Sequence, residues 1–254
     1  MPDTEWHYLV DQFDNVTKDS RPLALRIFAD FIAKANQRQV TDSGLIPMNS
    51  EVLPPLLAWG AKHAELVSVE ADYGAATAGF VEALRVLWNK PSLEVNSVLE
   101  DWDSQVRVAV PFGGTVYQRL FPHGREPFTA GTHEEIVEAL RVLGQKLGVE
   151  GAKLVDGSNV ITAKGQALVD LGVVVTARWV ALLEQRLAQQ GLEGQADALA
   201  DDLEPLRVAA CDGLHSAVGF LLWHHRTNKA LVGSYFDLDA LREGAPTPPP
   251  PPTP

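Results

Sequence analysis

Asp212 and His215 stand three residues apart in a stretch, VAACDGLHSAV, that reads as helix. At that spacing a carboxylate and an imidazole share one helical face. This is half of what a helical bundle uses to hold a metal pair. Such sites need Glu-x-x-His on two helices and further glutamates, all pointing inward. The chain has no Glu-x-x-His; His63, Glu65, Asp170 and Glu184 are the possible helpers, the last two on one face of a single helix. A metal- or cofactor-binding bundle enzyme centred on Asp212 and His215 is therefore an alternative expectation, and hydrogen-bonded polar residues in a bundle the simpler one. No cofactor is assigned.

The pair His224-His225 follows Trp223 near the end of the same helix. Histidines there complement the negative pole of the helix dipole, which is a sufficient structural reason for them. Nucleophilic chemistry has no support: Gly-x-Ser-x-Gly is missing, and Cys211, the single cysteine, sits inside the helix with no activating group in view. Phosphate-cradling patterns are missing too, both the Walker sequence and Gly-x-Gly-x-x-Gly.

The segment VPFGGTVYQRLFPHGREPFTA, residues 110–130, is the best remaining candidate, and reads as the longest non-helical stretch inside the chain. Gly113, Gly114, Arg119, His123 and Arg125 could form a site for an anion or a partner, interleaved with Phe112, Tyr117, Phe121 and Phe128. Long ordered loops are disproportionately functional. The same aromatic residues and prolines would equally make a self-packing cover for the end of a bundle.

Composition narrows the classes. A formal net charge of −12 over 254 residues argues against nucleic acid, which needs clustered Lys and Arg to neutralise phosphates, and against an anionic membrane surface. Asp170 and Arg178 interrupt the most apolar run, so no membrane span is expected. The N-terminal stretch lacks the basic and apolar regions of a secretory signal, and a lone cysteine suits a reducing compartment; a cytoplasmic protein is the expectation.

The elements that must position these residues read as helices. Thr4 to Asn15 places Trp6, Leu9, Val10 and Phe13 on one face. Ser20 and Pro22 then open a helix to about Gln39, with the stripe Ala24, Ile27, Phe28, Phe31, Ile32, Ala35 at i, i+3, i+4 spacing. Pro54-Pro55 is expected to open a long helix that Asn89-Lys90-Pro91 ends. Ser92 to Val108 is another, and the capping box Thr132-x-x-Glu135 begins one more, to about Leu147.

Asp156-Gly157 suits a tight turn between short strands, so 153–161 reads as a small β-hairpin or an irregular loop. The central helix, 162–190, is apolar around most of its circumference. Gly191 and Gly194 separate it from a helix over 195–228, which Pro205 kinks or truly begins, and 230–237 reads as extended. The heptapeptide VEALRVL occurs twice, at 81–87 and 137–143. Duplication is one reading of it, and shared helix-forming composition the plainer one. Gly60, Gly74, Gly165 and Gly172 suggest that helices 56–88 and 162–190 approach most closely, because something should offset glycine's cost in a helix.

The expected fold is all-α: an antiparallel bundle of about six helices in one domain, 1–243, with the long ones at 55–88, 162–190 and 195–228. The proline-rich end, 244–254, is a disordered tail. The expected function is a non-enzymatic interaction or assembly protein, associating with an unknown protein partner or with itself.

Overall fold

A computed structural model describes residues 12–18, 20–88 and 97–243. The expected N-terminal helix is seen only from residue 12, and the polyproline tail and the Asn89-Lys90-Pro91 stop lie outside the described residues. The fold is all-α. Among the described residues there are nine helices and no strand, rather than about six helices and a hairpin. They are α1 (within 12–18), α2 (Arg21–Gln39), α3 (Ile46–Trp88), α4 (Val98–Ala109), α5 (Thr115–Leu120), α6 (His133–Ala152), α7 (Ala163–His224), α8 (Ala230–Gly233) and α9 (Leu238–Glu243). Short 3₁₀ turns occupy Ser43–Leu45 and Glu126–Phe128.

The helix starts follow local chemistry. At α2 the Ser20 hydroxyl accepts from Leu23 N–H, Pro22 lies in the first turn, and Ala24, Ile27, Phe28, Phe31 and Ala35 are the buried face. At α6 Thr132 and Glu135 form the anticipated capping box. A second box, Ser97 with Glu100, starts α4; the sequence reading placed that start at Ser92 and missed it.

The two long helices correct three expectations. Pro54-Pro55 does not open α3 but lies inside it, and Pro205, of the two roles expected, does not begin a helix, since it lies inside α7. A proline deprives the carbonyl four residues earlier of its partner. Here those carbonyls belong to Ser50, Glu51 and Asp201, all exposed residues, so water can satisfy them. Gly191 and Gly194 likewise fail to divide α7. Both meet only open space, and neither has positive φ.

The other corrections are local. Residues 153–161 form no hairpin: a lone antiparallel bridge joins Val155 to Ile161. The Asp156 carboxylate accepts from the N–H groups of Ser158 and Val160, and Asn159 takes the positive φ of 59° that the turn requires. The side chain thus adds to the two backbone bonds that cross the turn, Asp156 N–H to Val160 O and Thr162 N–H to Leu154 O, each 2.8 Å. Residues 110–130 contain α5 and a 3₁₀ turn rather than being non-helical, and 230–237 begins with the short α8 instead of an extended segment.

The described residues, read from sequence as one domain over 1–243, gather into two compact units, those of 12–70 with 194–243, and those of 71–193. Each has its own core. In the first, Phe28 meets Trp59 edge-on at 5.1 Å between centroids, and Phe31 stacks on Phe236 at 5.3 Å; Leu214, Ala217 and Leu221 of α7 complete it. In the second, Phe80, Leu84, Leu87, Leu140, Leu143, Leu168 and Val175 are buried together. Both copies of VEALRVL lie there. Leu84 and Leu87 of one, like Leu140 and Leu143 of the other, are at most 1% exposed, and each copy forms the same Glu–Arg pair, Glu82–Arg85 and Glu138–Arg141.

Candidate functional site

The glycines of the 71–193 unit set where two of its helices meet. The close approach is made by α6 and α7, not by the helices around 56–88 and 162–190. A Cβ on Gly172 would come 3.0 Å from Gly144 O and 3.1 Å from Gly148 N; one on Gly165 would come 2.6 Å from Gly151 O. Gly60 and Gly74 of α3 have nothing within 4 Å. The Thr176 hydroxyl, packed over Gly144, donates to Gly172 O at 2.8 Å. Glycine at these positions removes the side chains that would hold the helices apart, which offsets its cost in a helix.

Beside this contact runs an open groove of ≈ 690 Å³, floored by Gly144, Gly148 and Gly172 and walled by Val149, Val169, Val173 and Ala177. Gln145 and Thr176 are its only polar lining residues, and no charged side chain lines it. Val149 is 54% exposed and Val173 65%. Gly148 faces into the groove with nothing within 4 Å of a would-be Cβ. The exposure extends along α7. This helix contains an 18-residue window long and apolar enough, by length and composition, to cross a membrane, and only 28% of that window is buried. Asp170 and Arg178 therefore interrupt the run less than the sequence reading supposed.

Of the residues singled out between 110 and 130, the two arginines pair with different carboxylates. Gly113 and Gly124 take positive φ of 75° and 60° in turns, and Gly114 precedes α5. His123 is exposed. Arg119 donates to Glu150 at 3.3 Å, and Arg125 pairs with Glu100 at 3.6 Å. Lys153, at 2.7 Å, also donates to Glu150; these partners, Lys153 foremost, hold the buried Glu150 carboxyl below its ordinary range. Phe121 and Phe128 are buried edge to face, and the segment closes a small cavity of ≈ 290 Å³ against Ala139, Val142 and Leu143 of α6. Asp103, which sequence reasoning overlooked, anchors the segment from α4: it is 4% exposed and accepts from the Tyr117 hydroxyl at 2.6 Å and from Arg107. Its place at i−4 from Arg107 was the available signal.

In the other unit, Asp212 is exposed on α7 and His215 packs on the Phe13 ring, 5.6 Å between centroids. Cys211 is buried between α1 and α7, with its sulfur 3.2 Å from the Thr17 hydroxyl. Burial pushes the thiol up to about 11, so it is neutral and a poor nucleophile. Arg207, 7% exposed, donates to Thr17, Asp14 and Glu204, and the Glu204 bonds above all hold it charged. Among the described residues, the three side chains that converge as possible metal ligands are Asp42, His224 and His225. No protein family, no curated protein and no solved structure matches this chain.

Proposed function

We propose that the chain is a non-enzymatic association protein and that the α6–α7 groove is its docking surface, with a second copy of the chain as the occupant. The observation that carries this reading is an apolar, chargeless groove continuous with a helix of whose most apolar window only 28% is buried. Contiguous exposed apolar surface of this kind marks interaction sites. With a net charge of −12, two copies repel each other at long range, so contact is favoured where neither presents charge. The groove offers a hollow at Gly148 and protrusions at Val149 and Val173 within one patch. A patch with both can complement itself about a two-fold axis.

The test is the oligomeric state by sedimentation velocity across a concentration series. Gly148→Leu fills the groove where the would-be Cβ meets open space, so the fold is retained. A wild-type dimer that becomes monomeric in this variant is the expected result. A wild-type monomer at every concentration would overturn self-association, and co-sedimentation of that monomer with neutral phosphatidylcholine vesicles would assign the face to a bilayer instead.

A further inference from the structure

The geometry points to a divalent metal site of the zinc type formed by Asp42, His224 and His225, with two imidazole nitrogens and one carboxylate oxygen as donors. One ring nitrogen of each histidine and one Asp42 oxygen lie within 4.8 Å of one another. Asp42 comes from the turn after α2, and the histidines from the end of α7, 182 residues further along. All three are partly exposed, so an ion has a path in.

Each of the three side chains is also held by a contact outside the cluster. Asp42 Oδ1 accepts from Gly44 N–H at 3.0 Å, which leaves Oδ2 facing His224 Nε2 at 2.6 Å. His225 Nε2 is 3.1 Å from the Tyr235 hydroxyl. The His224 ring stacks on Phe220, 5.7 Å between centroids with an interplanar angle of 16°, and lies against Gly44, where a Cβ would come within 2.6 Å of its Cε1. Partners that fix a ligand through its other atom are what metal-binding histidines and carboxylates characteristically have. Arg38, the neighbouring cation, is held on the Tyr235 ring at 3.9 Å and donates to Ser234 O.

A bare Asp42–His224 ion pair at a helix end would need only one histidine. It accounts neither for a second imidazole with a ring nitrogen within 4.8 Å of the other two donors nor for a glycine that admits the first. Donors around zinc at about 2.0–2.2 Å stand roughly 3.3 Å apart in a tetrahedral site. Binding therefore parts Asp42 from His224 by about 0.7 Å, a displacement that side-chain rotation can supply. Three protein donors leave the fourth position to water, the arrangement of zinc sites that hold a reactive or exchangeable ligand.

The experiment is calorimetric titration of Zn²⁺ into the tag-free full chain after chelator treatment, beside visible absorption on adding Co²⁺. One equivalent is expected to bind, with tetrahedral Co²⁺ bands. His225→Gln and Asp42→Asn keep side-chain size and should each weaken Zn²⁺ binding by 100-fold or more. Tyr235→Phe keeps the ring and removes only its hydroxyl, so it should cost about 10- to 100-fold, the range for outer partners. His215→Ala should leave affinity unchanged. Circular dichroism of each variant checks that it is folded. Absence of stoichiometric binding, equal binding by folded His225→Gln, or loss on His215→Ala instead would overturn the site.

Discussion

At the scale of single residues, the titratable groups of this protein answer to their immediate neighbours, and two of them give direct tests. Cys211 is 1% exposed, and burial raises its thiol to about 11. A thiol reagent at pH 8 should leave the native protein unlabelled for as long as it stays folded and label one equivalent once denaturant is added. Rapid labelling of native protein would show that α1 opens readily. Glu150 is held below its ordinary value by Lys153 and Arg119. A carboxyl depressed in the folded state contributes stability above its unfolded pKa, about 4.3, and loses it as pH falls through the folded value. Wild-type melting temperature should therefore drop below pH 4.5, and Glu150→Gln should flatten part of that drop while lowering stability at pH 7. Parallel profiles would mean that other carboxylates carry the dependence.

At the scale of elements, glycine has two different meanings in these helices. Gly172 is buried where α6 and α7 touch backbone to backbone, and a side chain there meets main-chain atoms that cannot yield. Gly172→Leu should cost about 1–3 kcal/mol or more through overpacking, read as a lower melting temperature. Gly60 and Gly74 of α3 face open space. Gly60→Ala and Gly74→Ala should be neutral or stabilise by up to about 1 kcal/mol, by restricting the unfolded chain and improving helix propensity. Equal loss in all three variants would show that glycine spacing, not helix contact, governs this sequence. The heptapeptide VEALRVL shows the same dependence on surroundings. Its leucines are buried in both copies, yet Val81 is 46% exposed and Val137 only 6%.

At the scale of the whole molecule, two compact units each own a core, and both take part of α3 and part of α7. Leu214 is at the centre of one core and Leu140 of the other, each fully buried. Leu214→Ala and Leu140→Ala should each cost about 2–5 kcal/mol, as cavity-forming changes do. Hydrogen exchange by mass spectrometry should then place the lost protection in 12–70 and 194–243 for the first, and in 71–193 for the second. Loss spread evenly over both units in either variant would identify one cooperative fold.

What the sequence determined by itself is what lies within a few turns of one helix. The stripe from Ala24 to Ala35, the Ser20 and Thr132 caps and the all-helical class follow from periodicity and from side chains bonding to backbone three residues away. Breakers were read less well. A proline or glycine ends a helix only when the freed carbonyl or the lost side chain is costly, and that depends on whether water or a neighbouring helix is present. Pro54, Pro55, Pro205 and Gly191 sit where it is not costly. Only the tertiary structure decided which glycines meet, that Arg119 and Arg125 turn toward Glu150 and Glu100, and that Asp42 lies 2.6 Å from His224. A carboxylate and an imidazole 182 residues apart carry no shared period or spacing. Their meeting is fixed by how α2 and α7 pack, through the burial of Phe28, Phe31 and Leu221 in one core. Chemistry assembled across such distances is invisible to local pattern, because the forces that assemble it act on apolar side chains elsewhere on the same helices.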